Sequence, residues 1–266
     1  DEKRKAYQNQ TGDIRRGVGM ALFSYKTGVW PISLEIAGAR LSLNQDGSVQ
    51  LQVGATEIGQ GADTVFSQMA AETLHMDISR VHIVTQQDTD VTPFDTGAYA
   101  SRQSFVTGTA VKECAQQLKQ KILEYARTLV PGNVDRLELE DGYILADGKP
   151  AISLEDLAME SYYSLSNSSV LTAEVSRQVK KNTVASGCCF AEVEVDMKLG
   201  KIKVLDIVNV HDSGTLLNPQ LAAMQVHGGM FMGIGYGVSE QLLIDEKTGR
   251  PLNGTLLDYK MMTMMD

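Results

Sequence analysis

A change in the spacing of apolar residues between positions 41 and 74 constrains the fold of this chain most strongly. Apolar residues alternate through 41–53 on both sides of an Asp-Gly pair, which is the pattern of a β-hairpin. They then recur at helical spacing from Thr64 to Leu74. A hairpin followed by a helix predicts an α+β fold with sheets packed against helices.

The turn between this hairpin and this helix reads Ile58-Gly59-Gln60-Gly61. Backbone N–H groups at a helix N-terminus lack helical partners and favour an anion. The two glycines would let a ligand approach the backbone, and Gln60 can donate or accept hydrogen bonds. A tight turn without any ligand is the alternative that the turn alone favours.

A second helix entry lies at 97–104, where small and hydrogen-bonding residues precede a helix expected from Phe105 to Leu129. A serine-capped polar loop and a ligand-binding loop both fit this stretch. The helix should bury one apolar face, made of Val111, Ala115, Leu118, Ile122, Tyr125 and Leu129.

The final third repeats the order of the first. An alternating hairpin over 189–210 leads through a polar loop into a helix that carries Gln225 beside glycines. Helix packing is the expected reason for most of these glycines, which are Gly228, Gly229, Gly233, Gly235 and Gly237.

This repetition predicts two similar units of hairpins and mixed sheet packed with helices. Their approximate bounds are 17–135 and 186–266, with a connecting hairpin and helix over 136–185. Ser153 is the expected N-cap of that connecting helix, and Asp156 would complete a capping box. Residues 1–266 would form one domain fragment, because the chain begins in a charged segment without Met and stops in an apolar stretch. Flanking parts are expected at both ends.

The net charge of −9 offers no basic surface for nucleic acid or an anionic membrane. No apolar run has the length of a membrane span, and no signal-peptide core follows the N-terminus. The three cysteines show no disulfide or metal spacing, so they are expected to be small buried residues in a reducing cytoplasm. The histidines lack the spacing of a metal site.

Several stretches in order from residue 57 to residue 260 resemble the molybdenum-cofactor subunit of the xanthine dehydrogenase/aldehyde oxidase family. Together they are far more specific than any one of them. They are Glu57-Ile58-Gly59-Gln60-Gly61, Gly97-Ala98-Tyr99-Ala100-Ser101-Arg102, Glu192-Val193-Glu194-Val195-Asp196, Asp212-Ser213-Gly214, Asn218-Pro219, Gln225-Val226-His227-Gly228-Gly229 and Leu257-Asp258-Tyr259-Lys260.

The resemblance implies a molybdopterin lying along the glycine turn, with Gln60 bonded to the cofactor and the helix entry after the turn near its phosphate. The 101–104 loop would wrap the pterin or its phosphate. Ala100 would lie beside the molybdenum, and Gln225 at the dithiolene and oxo end. The cofactor-binding residues implied are Ile58, Gly59, Gln60, Gly61, Ala100, Ser101, Arg102, Gln103, Ser104 and Gln225.

Val29 and Trp30 match a pair that lines the substrate pocket in purine-hydroxylating members, although an ordinary core position for Trp30 stays open. Met224 and Met262 depart from the family pattern, which usually has Gly and often has Pro there.

No catalytic residue is expected within this fragment. The family's general-base glutamate would lie downstream, so neither Glu57 nor Glu240 is assigned that role.

For the intact protein, the resemblance implies an oxidoreductase that hydroxylates xanthine, hypoxanthine or a related heterocycle with water as the oxygen source. The alternatives are an aldehyde, carbon monoxide or aromatic-compound oxidoreductase of the same family, and a scaffold that has lost the cofactor.

FAD and iron–sulfur clusters are expected on other domains or subunits, together with a homo-oligomeric, cytoplasmic enzyme. The mononucleotide and cytosine dinucleotide forms of the pterin are both open.

Overall fold

The computed structural model describes residues 1–132, 134–263 and 265. The helices are α1 (Glu2–Ala6), α2 (Ala62–Leu74), α3 (Gln103–Leu129), α4 (Leu154–Tyr163) and α5 (Pro219–Val238). The strands are β1 (Ile14–Lys26), β2 (Ile36–Leu43), β3 (Val49–Val53), β4 (Val81–Ile83), β5 (Leu137–Glu140), β6 (Tyr143–Ala146), β7 (Lys149–Ser153), β8 (Thr172–Gln178), β9 (Val184–Asp196) and β10 (Lys201–Asp212). A 3-10 turn, Ile78–Arg80, precedes β4. The predicted α+β class is confirmed.

The chain forms two compact units. The central unit comprises Lys26–Thr183, and the second comprises Asp1–Tyr25 together with Val184–Asp266. The meander β5–β7 and helix α4 therefore belong to the central unit. These units are drawn differently from the subdomains expected at 17–135 and 186–266, whose bounds stay a prediction.

A four-stranded sheet in the order β4-β3-β2-β8 forms the centre of the central unit. β2 and β3 are antiparallel, with Leu41 opposite Leu51 and Leu43 opposite Val49. These residues are fully buried, whereas Arg40, which precedes Leu41, pairs with Glu174 on the neighbouring strand β8. The alternation in the sequence thus sets one apolar and one polar face, as predicted.

Helix α3 covers the apolar face of this sheet. The residues predicted on its inner face from Val111 to Tyr125 are buried, and Leu129 is partly buried against the same core. The helix begins at Gln103, two residues before the predicted start at Phe105. That small difference places Gln103 and Ser104 in the first helical turn.

The meander β5–β7 leads into α4 through a capping arrangement predicted from the sequence. The Oγ of Ser153 accepts a hydrogen bond of 3.0 Å from the backbone N of Asp156. The Asp156 carboxylate accepts from the Ser153 hydroxyl at 2.6 Å, rather than from the Ser153 backbone.

The second unit contains a three-stranded sheet in the order β1-β9-β10 and the helix α5. A Cβ added at Gly187 of β9 would lie 2.4 Å from the Phe23 ring, so only glycine admits that ring. In α5, by contrast, a Cβ at Gly228, Gly229 or Gly233 would meet no described atom within 4 Å. Helix packing within the described residues does not explain these glycines, contrary to expectation.

The cysteines only partly follow expectation. Cys114 is fully buried in α3, and burial raises the pKa of its thiol to about 11. Cys188 and Cys189 are only half-buried on β9. In the described part of the chain, no helix combines the length and apolarity needed to cross a membrane.

Candidate functional site

The turn between β3 and α2 has the predicted position at a helix N-terminus. Gly59 and Gly61 have φ angles of +98° and +87°, in the left-handed region that favours glycine. Ile58 between the strand and the glycines is 69% exposed. The sequence therefore identified a backbone conformation that other residues would adopt only with strain.

The free N–H groups expected at this turn are occupied by a carboxylate from the turn itself. Glu57 Oε1 accepts hydrogen bonds from Gly59 N at 2.7 Å and Gly61 N at 3.0 Å, and Oε2 accepts from Asp63 N at 3.1 Å. The α2 entry thus carries its own anion, which corrects the expectation of free donors.

Electrostatics supports an ionised Glu57. Burial is the largest single influence and acts to raise its pKa, but the backbone hydrogen bonds outweigh it, so the pKa lies below its ordinary value. Asp63 shows the opposite result, because burial and then the charge of Glu57 raise its pKa. A second anion at the start of α2 would therefore meet negative charge already in place.

The amides of Gln60 and Gln103 contact each other beside this turn. Gln60 Nε2 lies 2.5 Å from Gln103 Oε1, and both Nε2 atoms donate to the carbonyl of Thr56, at 3.0 and 3.1 Å. Two residues implied in cofactor binding, 43 positions apart in sequence, are therefore brought together.

The guanidinium of Arg102 lies in the protein interior. Nε donates to Glu35 Oε2 at 2.5 Å, and Nη1 donates to Asp95 Oδ1 at 2.5 Å. Nη1 and Nη2 also donate to the backbone carbonyls of Gly97 and Ile36. Because the side chain is 0% exposed, the structure does not offer its guanidinium to a cofactor. The guanidinium holds the loop through these hydrogen bonds, and the role in cofactor binding implied for Arg102 stays a prediction.

The loop before α3 has a constrained backbone. Ala100 and Ser101 have φ angles of +51° and +53°, which cost about 1 kcal/mol or more for residues with a Cβ. The carbonyl of Ala100 accepts a hydrogen bond of 2.8 Å from Gly28 N. Ser101 in this loop and Ser104 in the first turn of α3 are exposed.

The predicted pocket pair, Val29 and Trp30, lies next to this loop. Val29 N donates to Glu35 Oε1 at 2.6 Å, while the other oxygen of Glu35 holds Arg102. The carbonyl of Trp30 accepts from Asn182 Nδ2 at 2.5 Å. Trp30 is half-buried and lies outside the buried core, and its place in the wall of a substrate pocket stays a prediction.

Two carboxylates at the centre of this arrangement, Glu35 and Asp95, were not singled out from the sequence. Asp95 also accepts from Thr107 Oγ1 at 2.7 Å, which ties the loop to α3. The available signal was the apolar setting of Glu35, between Leu34 and Ile36, because buried charges are retained when they are paired.

Gln225 lies in α5 of the second unit and is exposed there. Its implied position near the other site residues stays a prediction. Within the described residues, no cluster of His, Cys, Asp and Glu side chains could hold a metal ion.

Comparison with known proteins identifies relatives across the whole chain. The profile of the molybdopterin cofactor-binding domain family matches residues 1–266. The xanthine dehydrogenase molybdenum-binding subunit of Escherichia coli O157:H7 is 51% identical over 269 residues, which cover 100% of this chain and 36% of that protein. The nicotine 6-hydroxylase large subunit of Paenarthrobacter nicotinovorans is 26% identical, over 93% of this chain and 32% of that protein.

Among solved structures, quinoline 2-oxidoreductase from Pseudomonas putida 86 superimposes with a TM-score of 0.85 and 23% identity, over 100% of this chain and 35% of that one. At 23% identity, this structural similarity shows that the two chains share a fold. The chain spans about a third of the length of the relatives that it matches.

Proposed function

Because the chain belongs to the molybdopterin cofactor-binding domain family, we propose that its 58–61 turn and 100–104 loop hold molybdopterin in a xanthine dehydrogenase-like oxidoreductase. The substrate would be xanthine, hypoxanthine or a related heterocycle. The observation that carries this choice is 51% identity to a xanthine dehydrogenase subunit, against 26% to a nicotine hydroxylase.

The residues of the turn fit a flat, polar cofactor. A Cβ built on Gly59 would meet no described atom within 4 Å, so a ligand can approach the backbone there. Ile58 offers an exposed apolar surface, and Gln60 offers an amide held in place by hydrogen bonds. This combination of apolar contact and directed polar groups is usual in cofactor sites.

The phosphate of the cofactor fits the start of α3 better than the start of α2. Helix α2 is capped by Glu57 and carries Asp63 in its first turn. Helix α3 has no side-chain cap and no acidic residue in its first turn, and the hydroxyls of Ser101 and Ser104 are exposed there. Backbone N–H groups and hydroxyls at a helix N-terminus form a suitable site for an anion.

When bound, the molybdenum centre supplies the redox chemistry that moves oxygen from water to the substrate. The part of this chain is to bind the cofactor, and to position Ala100 and the Val29–Trp30 segment beside the reacting carbon. We assign the general base to a glutamate outside this chain. Glu57 is held by three backbone N–H groups, and Glu240 accepts from the Tyr259 hydroxyl at 2.9 Å.

We also propose which redox partners, oligomeric state and cofactor form the complete enzyme has. FAD and iron–sulfur domains or subunits would accept the electrons, and the complete enzyme would be a cytoplasmic homo-oligomer. The pterin would be a mononucleotide or a cytosine dinucleotide, which nucleotide analysis of the released cofactor distinguishes.

The proposal is tested with the full-length protein, purified from cells that synthesise the cofactor. Molybdenum is measured by mass spectrometry and the pterin by fluorescence after oxidative release. Turnover is compared for hypoxanthine, xanthine, an aldehyde, nicotine and carbon monoxide. We expect one molybdenum per chain and turnover of the purines.

Gln60→Ala should lower the cofactor content several-fold, because a directed hydrogen bond is worth about 1 kcal/mol or more. Gln117→Ala, which removes an exposed amide from the middle of α3, is the matched control. Wild-type protein without molybdenum and pterin would favour the scaffold alternative. Normal loading with turnover of the other substrates alone would assign the chain to another branch of the family.

A further inference from the structure

The contact between the amides of Gln60 and Gln103 also shows how each amide is oriented. An amide presents a donor on one side and an acceptor on the other, so its orientation decides what a ligand meets. Backbone groups around the pair define both orientations. The inference below rests on the proposed function, since the ligand is the proposed cofactor.

Backbone partners fix the orientation of Gln60. The N–H of Ile58 can only donate, and it lies 2.6 Å from one end of the Gln60 amide, which must therefore be Oε1. The carbonyl of Thr56 can only accept, and it lies 3.0 Å from the other end, which must be Nε2. Rotating the Gln60 amide by 180° would place a donor against the N–H of Ile58 and an acceptor against the carbonyl of Thr56.

The same carbonyl fixes Gln103. Its Nε2 lies 3.1 Å from Thr56 O, so its Oε1 is the atom that faces Gln60 Nε2 at 2.5 Å. Both protons of Gln60 Nε2 are then used, one by Thr56 O and one by Gln103 Oε1. Gln60 Oε1 accepts from Ile58 N and keeps a second lone pair, at an exposed position.

Gln103 itself is poorly placed to touch a ligand. Gln103 is only 8% exposed, and both the oxygen and the nitrogen of its amide already have hydrogen-bond partners. Ser101 in the preceding loop and Ser104 in the first turn of α3 are exposed. The buried amide therefore acts on Gln60 and not on the ligand.

We propose that Gln103 is a positioning residue that occupies the second amide proton of Gln60, so that Gln60 meets the cofactor only as an acceptor through Oε1. The group recognised by Gln60 is then an N–H or O–H donor, such as the N–H edge of the pterin. A dithiolene sulfur or an oxo ligand, which can only accept, is not its partner.

The first test uses Gln103→Leu and Gln103→Glu in the full-length protein. Both variants lose the donor to Thr56 O, but the carboxylate of Gln103→Glu keeps an acceptor for Gln60 Nε2. The buried charge should make Gln103→Glu melt at a lower temperature than Gln103→Leu. Gln103→Glu should nevertheless carry about threefold or more pterin and molybdenum per chain than Gln103→Leu carries.

This opposite order separates positioning from a structural role. If Gln103 only stabilises the fold, cofactor content will follow the melting temperature through Gln103→Leu, Gln103→Glu and the Gln117→Ala control. That outcome overturns the proposal. The wild-type protein is measured first. If it carries no molybdopterin, the proposed function fails too, and this result is distinct from a failure seen only in the order of the Gln103 variants.

A second test at Gln60 applies even if the buried variants do not fold, because Gln60 is partly exposed. Gln60→Glu keeps an oxygen acceptor at this position, whereas Gln60→Met has similar length without one. An acceptor role predicts about threefold or more cofactor in Gln60→Glu than in Gln60→Met. Equal or lower content in Gln60→Glu would show that Gln60 acts as a donor and overturn the proposal.

Discussion

Arg102 donates from Nε to Glu35 Oε2 at 2.5 Å, and the two side chains are 0% and 1% exposed. Glu35 also accepts from Val29 N, and Arg102 also donates to Asp95. The pair therefore ties the segment proposed to line the substrate pocket to the loop that contains Ala100.

Removing one member of this pair should be strongly destabilising. Glu35→Ala leaves the buried guanidinium without one of its two carboxylates and Val29 N without its acceptor. We expect a loss of about 3–5 kcal/mol in the free energy of unfolding, measured by urea denaturation. Glu113→Ala, which breaks an ion pair with Arg177 at 3.3 Å on the surface, should cost less than about 1 kcal/mol. Similar losses for both variants would contradict the importance of the buried pair.

Gly54→Ala should also disturb the loop before α3. A Cβ at this position would lie 2.1 Å from the carbonyl oxygen of Pro93 and 2.9 Å from Asp95 N, so the backbone must move. We expect a destabilisation of about 3 kcal/mol, measured by thermal unfolding. Gly17→Ala, where the new Cβ meets no described atom within 4 Å, is the control. An unchanged Gly54→Ala melting curve would show that the loop is not seated against Gly54.

Glu57 should make the stability of the protein depend on pH in the acidic range. Its pKa in the folded state lies below the ordinary value of 4.5, because hydrogen bonds from the α2 entry outweigh its burial. This contribution is present above the unfolded pKa and is lost as pH falls through the folded pKa.

Asp63 has a raised folded-state pKa, caused by burial and by the charge of Glu57, so its contribution has the opposite sign. It favours the folded state at low pH and is lost as pH rises through the folded pKa. Urea denaturation of wild type and Glu57→Gln between pH 3 and pH 6, roughly the range of carboxyl titration, tests this. We expect the variant to lose less stability on acidification. A steeper acid loss in Glu57→Gln would refute the assignment.

The thiol of Cys114 should be unreactive in the folded protein. Burial raises its pKa from 9.0 to about 11, so the thiolate fraction near pH 8 falls roughly 100-fold before steric protection is counted. A colorimetric thiol reagent should modify the half-buried Cys188 and Cys189 first, and Cys114 only after unfolding in denaturant. Peptide mapping identifies the modified positions, and early labelling of Cys114 would disprove its burial.

The sequence by itself determined the elements whose apolar period is regular. The alternation in β2 and β3, the inner face of α3 and the Ser153 cap all appear where the pattern placed them. Local signals suffice there, because side-chain direction follows from the period of the backbone. The family was also evident from the ordered motifs, and the profile match over residues 1–266 confirms it.

Only the tertiary structure decided what the polar residues of those motifs contact. Arg102 stands in a surface-like polar loop in the sequence, yet folding places it between Glu35 and Asp95. Glu57 occupies donors that the sequence predicted to be free for a ligand, and the Gln103 side chain is buried against Gln60. Each outcome depends on partners far apart in the chain or on a backbone path set by left-handed glycines. A periodic pattern carries no information about such hydrogen bonds, because their directions are fixed by packing of the whole unit.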